Sequence, residues 1–218
     1  MTDPTGSTGG PRTVVHLLRH GEVHNPEGVL YGRLPGYRLS ERGRRQAETV
    51  AAALADEDVT ALLASPLERA QQTAAPLAES HGLTVVTEPG LIEAANDFEG
   101  RRFGVGDGAL RHPAQWVKLR NPLRPSWGEP YQQIAARMRA SVDRARALAE
   151  GHTAVCVSHQ LPIWTVRRNL EGKRMWHDPR RRQCGLASLT TLVFAGHRLV
   201  ELRYREPAGA SDPTVTGA

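Results

Sequence analysis

Residues 14–22 read Val-Val-His-Leu-Leu-Arg-His-Gly-Glu, and residues 153–159 read Thr-Ala-Val-Cys-Val-Ser-His. Each is a short, mostly apolar run that ends in a polar residue and a histidine. Runs of this length predict strands buried on both faces, the form taken by strands of a parallel sheet covered by helices. In such a sheet, ligands bind beyond the carboxyl ends of the strands, in the crevice where strand order reverses. His20 and His159 therefore qualify to face one crevice although most of the chain separates them.

Working outward, strand and helix patterns alternate. Ser40 can cap a helix reaching Ala55, Ala61 to Ala64 is a second short strand, and Ser65, Pro66 and Glu68 have the spacing of a capping box that opens a helix through about Glu79. Leu83 to Val86 is a further strand candidate, and Leu91, Ile92 and Glu93 close a short extended segment. Tyr131, Ile134, Met138, Val142, Ala145 and Leu148 recur at helical spacing up to Gly151, and Pro162 to Leu170 predicts the next helix. Leu189 to Phe194 and Leu199 to Tyr204 flank a Gly-containing turn, as in a hairpin.

The order predicts an α/β three-layer sandwich: a mostly parallel central sheet, helices on both faces and an irregular lid insertion. One domain is expected over residues 13–206, with flexible tails at 1–12 and 207–218. Residues 101–130, dense in Gly and Pro, form the lid, with one helix expected around Pro113 to Leu119. Arg111, Arg120, Arg124, Trp116 and Trp127 are its candidates for substrate contact.

With 218 residues, 39% hydrophobic, the chain can bury a core without disulfides or metal. Collagen, coiled coil and wholesale disorder are excluded. Cys156 and Cys184 are too few for a disulfide framework, neither a secretion signal nor a membrane-spanning run is recognisable, and the expectation is a cytoplasmic protein with no membrane partner. Of the 28 cationic side chains, all but Lys118 and Lys173 are arginine, whose planar fork suits phosphate and carboxylate. They are scattered, apart from Arg180, Arg181 and Arg182. With aromatics at 5%, a nucleic-acid surface is not expected. The Arg180 to Arg182 run reads as a solvated loop, or as the mouth of a pocket for a polyanionic substrate.

Arg19, His20, Gly21 and Glu22 form an R-H-G-E tetrapeptide, and residues 65–73 read S-P-L-E-R-A-Q-Q-T. With Glu93 ahead of Phe98-Glu99-Gly100, and the strand ending at His159, the sequence resembles the histidine phosphatase superfamily, also called phosphoglycerate mutase-like. The resemblance covers about Val14 to Tyr204 and is weakest in the lid. Three departures stand out: Gln160 and Leu161 replace small residues after His159, Asn25 arrives one position early, and the spacing after Glu93 is shorter.

The resemblance implies that His20 is the nucleophile, His159 the second active-site histidine and Glu93 the proton donor, with Asp97 or Glu99 able to share that last role. It implies phosphate binding by Arg19, Arg69 and Asn25, and Arg33 is a further loop arginine within reach of a substrate or of solvent. The expected activity is a cofactor-independent phosphomonoesterase, with no catalytic metal, acting on a small phosphorylated metabolite. Phosphoglycerate mutase-type transfer and noncatalytic phospholigand binding are the alternatives; the segment around Glu93 looks less like the mutase branch. The oligomeric state is left open, a homodimer being compatible with the sequence.

Overall fold

In the computed structural model, which describes residues 10–97, 99–100 and 128–210, six strands form one sheet. They are β1 (Arg12–Arg19), β2 (Val59–Ala64), β3 (Val86–Thr87), β4 (Thr153–Ser158), β5 (Leu189–Ala195) and β6 (Arg198–Arg205), in the order β3-β2-β4-β1-β5-β6. The first four of that order are parallel, while β5 and β6 are antiparallel and form the expected hairpin. The helices are α1 (Glu41–Ala53), α2 (Glu68–His81), α3 (Tyr131–Leu148) and α4 (Gln160–Leu170).

The central strands are apolar on both sides, so alternate residues enter two cores. Val15, Leu17, Ala154 and Cys156 pack with Ile134, Met138 and Val142 of α3 and Ile163 and Val166 of α4. Leu18, Leu62, Val155 and Val157 pack on the other face with Val50 of α1 and Ala70, Ala74 and Leu77 of α2. The result is the three-layer α/β sandwich that the alternation predicts.

Several boundaries differ from the sequence reading. β1 begins at Arg12, whose partner across the ladder is Ala195, two residues ahead of the apolar run that starts at Val14. The capping box does not form. α2 starts at Glu68 behind Leu67, which offers no side-chain cap, because the Ser65 N–H is held by the Val157 carbonyl at the end of the β ladder. The Leu83 to Val86 strand shrinks to Val86–Thr87, since only the last two residues of β2, Leu63 and Ala64, have partners on that edge. Residues Pro89–Leu91 form a 3₁₀ turn capped by Glu88, so of the expected extended segment Leu91 belongs to the turn while Ile92 is extended. α4 begins at Gln160, two residues ahead of Pro162. The helix expected near Pro113 and most of the lid lie outside the described residues. An isolated antiparallel bridge joins Asn96 to Gly128.

Gly43, in the first turn of α1, shows how the loop after β1 is locked. A Cβ there would lie 2.0 Å from the Glu22 carbonyl oxygen, a backbone atom that cannot turn aside. A Cβ on Gly21 would in turn lie 2.5 Å from the Gly43 carbonyl oxygen. Gly43→Ala is therefore expected to destabilise the fold by about 1–3 kcal/mol, as overpacking of a rigid contact does. Urea unfolding with an unchanged m-value checks this, and a midpoint equal to that of the unsubstituted protein contradicts it.

Candidate active site

Three parallel strands end side by side, and each delivers a polar residue. The ladder pairs Arg19 with Ser158 and Ala64 with Val157. The next residues are His20 after β1, Ser65 after β2 and His159 after β4. The His20 N–H donates to the Ser158 carbonyl, so His20 still follows the sheet, and its ring centroid lies 5.1 Å from that of His159. Both histidines are fully buried.

His20 Nδ1 lies 2.7 Å from the Gly21 carbonyl oxygen. A carbonyl only accepts, so Nδ1 carries the hydrogen and Nε2 holds a lone pair in the neutral ring. Burial, followed by the charges of Arg69 and Arg19, pushes His20 well below the usual histidine range and keeps it neutral. His159 is lowered in the same way, by burial first and then by Arg69, His20 and Arg19. His159 Nε2 lies 2.8 Å from Ser65 Oγ.

Arg19 is buried and donates from Nη1 to the Cys184 carbonyl at 2.8 Å. Arg69, in the first turn of α2, is buried over the Tyr31 ring and donates from Nη2 to the Gly32 carbonyl at 2.6 Å. Thr73 joins these parts. Its hydroxyl donates to the Arg69 carbonyl and accepts from the Gly21 N–H. Each arginine is thus aimed by a backbone carbonyl, which leaves most of its fork for a ligand.

Glu93 is buried, and burial raises its carboxyl above the ordinary value against the opposing pull of the Ala94 N–H, Arg69, Arg19 and Arg182. One oxygen accepts from the Ala94 N–H at 2.8 Å. Its loop is clamped from below: Arg137 donates to the Gly90 and Ile92 carbonyls, Arg33 donates to the Glu93 carbonyl, and Glu129 bridges both arginines. Arg33 is therefore a strut under Glu93. Glu99 accepts from the Arg33 backbone N–H and Asp97 is exposed, which leaves Glu93 as the buried carboxyl of this segment.

Among the described residues, five buried atoms here have no hydrogen-bond partner: His20 Nε2, His159 Nδ1, Glu93 Oε2, and Nε of Arg19 and Arg69. Buried polar atoms are normally satisfied, and a cluster of exceptions marks a place built for a ligand. The set is one nucleophilic lone pair, two guanidinium groups, one neutral imidazole and one carboxyl of raised proton affinity, which matches the needs of an oxyanion such as phosphate. Among the described residues no three His, Cys, Asp or Glu side chains converge as a metal would require.

Asn25 is placed differently from the other predicted ligands. Its amide closes a loop, donating to the Val29 carbonyl and accepting from the Val29 N–H, so one amide hydrogen is left for any other partner. Sequence reading missed Ser65, Thr73, Arg137 and Glu129 as site residues. For Ser65 a signal existed, since it follows a strand as His20 and His159 do. The Arg180 to Arg182 run is not uniform: Arg182 is half-buried with its fork directed to His177 and Gln160, while Arg181 is exposed.

The sequence profile of the histidine phosphatase superfamily (branch 1) matches residues 15–207. The uncharacterized protein Rv0525 of Mycobacterium tuberculosis is 63% identical over 196 residues, covering 90% of this chain and 97% of the relative. The probable phosphoglycerate mutase GpmB of Yersinia pestis is 32% identical over 182 residues, covering 79% and 82%. Among solved structures, the mycobacterial glucosyl-3-phosphoglycerate phosphatase Rv2419c superposes with a TM-score of 0.68 at 26% identity, covering 92% of this chain and all of that one. No helix among the described residues is long and apolar enough to cross a membrane.

Proposed function

We propose that this chain, which belongs to the histidine phosphatase superfamily, is a phosphomonoesterase that hydrolyses a small phosphorylated metabolite through a phosphohistidine on His20. The observation that carries the reading is the state of His20: neutral, with Nδ1–H fixed on the Gly21 carbonyl and a buried, unpartnered Nε2 beside two arginines.

In the proposed first step the Nε2 lone pair attacks phosphorus in line with the ester oxygen. The N–P bond forms as the P–O bond breaks, and Glu93 gives its proton to the departing alkoxide. Arg19 and Arg69, with the remaining amide hydrogen of Asn25, hold the phosphoryl oxygens, where charge is greatest as both axial bonds loosen. With the Ser65 hydroxyl donating to His159 Nε2, 2.8 Å away, His159 presents Nδ1–H to the phosphoryl group in the proposed step. In the second step the Glu93 carboxylate takes a proton from water, the hydroxide attacks phosphorus, the N–P bond breaks and phosphate leaves. The balanced outcome is alcohol plus inorganic phosphate, with His20 restored.

The named activity of the glucosyl-3-phosphoglycerate phosphatase supports hydrolysis, whereas the name of the GpmB relative supports phosphoryl transfer between hydroxyls of a phosphoglycerate. The product separates them. Against a panel of phosphorylated metabolites, inorganic phosphate is expected to be released, with the rate unchanged by a chelator and inhibited by vanadate. An isomerised phosphoester would establish the mutase reading, and saturable phosphate binding without turnover the noncatalytic one. Activity lost in chelator and restored by zinc would overturn the proposed chemistry.

A further inference from the structure

The tautomer of His20 is set by one peptide unit. The ring donates from Nδ1 to the Gly21 carbonyl at 2.7 Å, and that carbonyl shares a planar trans unit with the Glu22 N–H. In such a unit the C=O and N–H point in opposite directions, so whatever holds the N–H also aims the carbonyl. The Glu22 N–H donates to Gln46 Oε1 at 2.8 Å. A backbone N–H only donates, which makes the facing atom of the Gln46 amide its oxygen.

Gln46 lies on the buried face of α1 with Gly43, Ala47 and Val50. The preceding peptide unit, between His20 and Gly21, is held at both ends by other parts of the fold: its N–H donates to Thr73 Oγ1 at 3.1 Å, and its carbonyl accepts from the Ala187 N–H at 3.3 Å. The unit between Gly21 and Glu22 has the imidazole on one end and Gln46 on the other. It is also the more easily turned, because glycine restrains its backbone least, and the close Gly43 carbonyl admits only glycine at 21. Ser40 fixes the rest of Glu22, its N–H donating to the Glu22 carbonyl at 2.9 Å and its hydroxyl to the carboxylate at 2.7 Å. Those contacts act on the far side of the Glu22 Cα, and the direction of the preceding unit is left to Gln46.

We propose that Gln46 is a positioning residue for the phosphoryl transfer: by anchoring the Glu22 N–H it keeps the Gly21 carbonyl on His20 Nδ1, and so keeps the lone pair on Nε2. The inference rests on the phosphomonoesterase reading, in which Nε2 attacks phosphorus. A neutral imidazole exchanges tautomers with no change of charge, so the hydrogen bond made by one nitrogen decides which of the two carries the proton. If the peptide unit turns, Nδ1–H loses its acceptor and the proton moves to Nε2, which then has no lone pair to offer. Groups that orient a histidine from behind in this way are worth about 10–100-fold where they do the same for metal ligands.

The test reads the ring directly. In the ¹⁵N spectrum of protein carrying labelled histidine, protonated and unprotonated ring nitrogens are well separated, and His20 is identified by the signals missing from His20→Ala. At neutral pH the unsubstituted protein is expected to show His20 protonated at Nδ1 and not at Nε2. Gln46→Leu, which is similar in size and lacks the acceptor, is expected to move a measurable share of the proton to Nε2 and to slow phosphoenzyme formation in a single turnover by about 10–100-fold. Its affinity for inorganic phosphate should be largely retained, since Arg19 and Arg69 are aimed by other carbonyls. Gln46→Glu keeps an acceptor oxygen and is expected to keep the tautomer and most of the rate. If Gln46→Leu fails to fold, Gln46→Met, whose sulfur accepts only weakly, takes its place. A variant without the acceptor that keeps either the Nδ1–H tautomer or its full single-turnover rate overturns this inference and leaves the phosphomonoesterase reading standing. Nε2–H in the unsubstituted protein, or absence of turnover with every phosphomonoester, defeats that reading, and this inference with it.

Discussion

His20→Ala is expected to lower turnover of every phosphomonoester by about 10⁴-fold or more, because it removes the atom to which the phosphoryl group bonds. Alanine also removes the ring that meets His159 at 5.1 Å, so the fold must be checked alongside by thermal unfolding. A catalytic role for His20 predicts lost turnover with a largely retained melting transition. Loss of both together would point to packing, and retained turnover would remove His20 from the chemistry altogether. Binding of inorganic phosphate should survive the substitution, since Arg19 and Arg69 are aimed by the Cys184 and Gly32 carbonyls rather than by His20.

Glu93→Gln should have the second largest effect, and its pattern is more informative than its size. General acid–base assistance contributes about 10²–10⁴-fold, so hydrolysis of alkyl phosphates should fall by that range. An ester with a good leaving group, such as p-nitrophenyl phosphate, needs no proton at departure. With it, Glu93→Gln should still release one equivalent of p-nitrophenol in a burst and then stall, because the water that attacks the phosphoenzyme has lost its base. The pH profile follows from the same groups. His20 must be neutral, and since burial and two arginines lower it, the acid limb should lie well below the ordinary histidine value of 6.5. Glu93 must be protonated for the first step, and since burial raises it above 4.5, the rate should fall on the alkaline side as pH rises through that raised value. Glu93→Gln should abolish the alkaline limb for the phosphorylation step. An alkaline limb unchanged in the variant would assign the proton to another group.

The strands that end in His20 and His159 were legible because a buried parallel strand writes itself as a continuous apolar run. That the two runs lie next to each other was not, since adjacency is set by strand order and by the pairing of Arg19 with Ser158. Ser65 shows how a local pattern misleads. Ser-Pro-x-Glu satisfies the spacing of a capping box, yet the ladder holds the Ser65 N–H on the Val157 carbonyl and the hydroxyl turns to His159. The roles of Arg33 and Arg137 depend on which carbonyls of the Glu93 loop they reach, a matter of tertiary contact that leaves no mark in spacing. Within the Arg180 to Arg182 run, neighbouring residues of one type differ in burial, and composition carries no trace of that difference.

The central claim is a covalent bond between His20 and phosphorus during turnover. It is tested most directly by mixing the protein with ³²P-labelled substrate, quenching in alkali within the first turnovers, and mapping the label by proteolysis. The account predicts label on the peptide containing His20, stable in alkali, lost in acid, and accumulating further in Glu93→Gln. Label on any other residue, or full turnover with no labelled protein at any quench time, would contradict it.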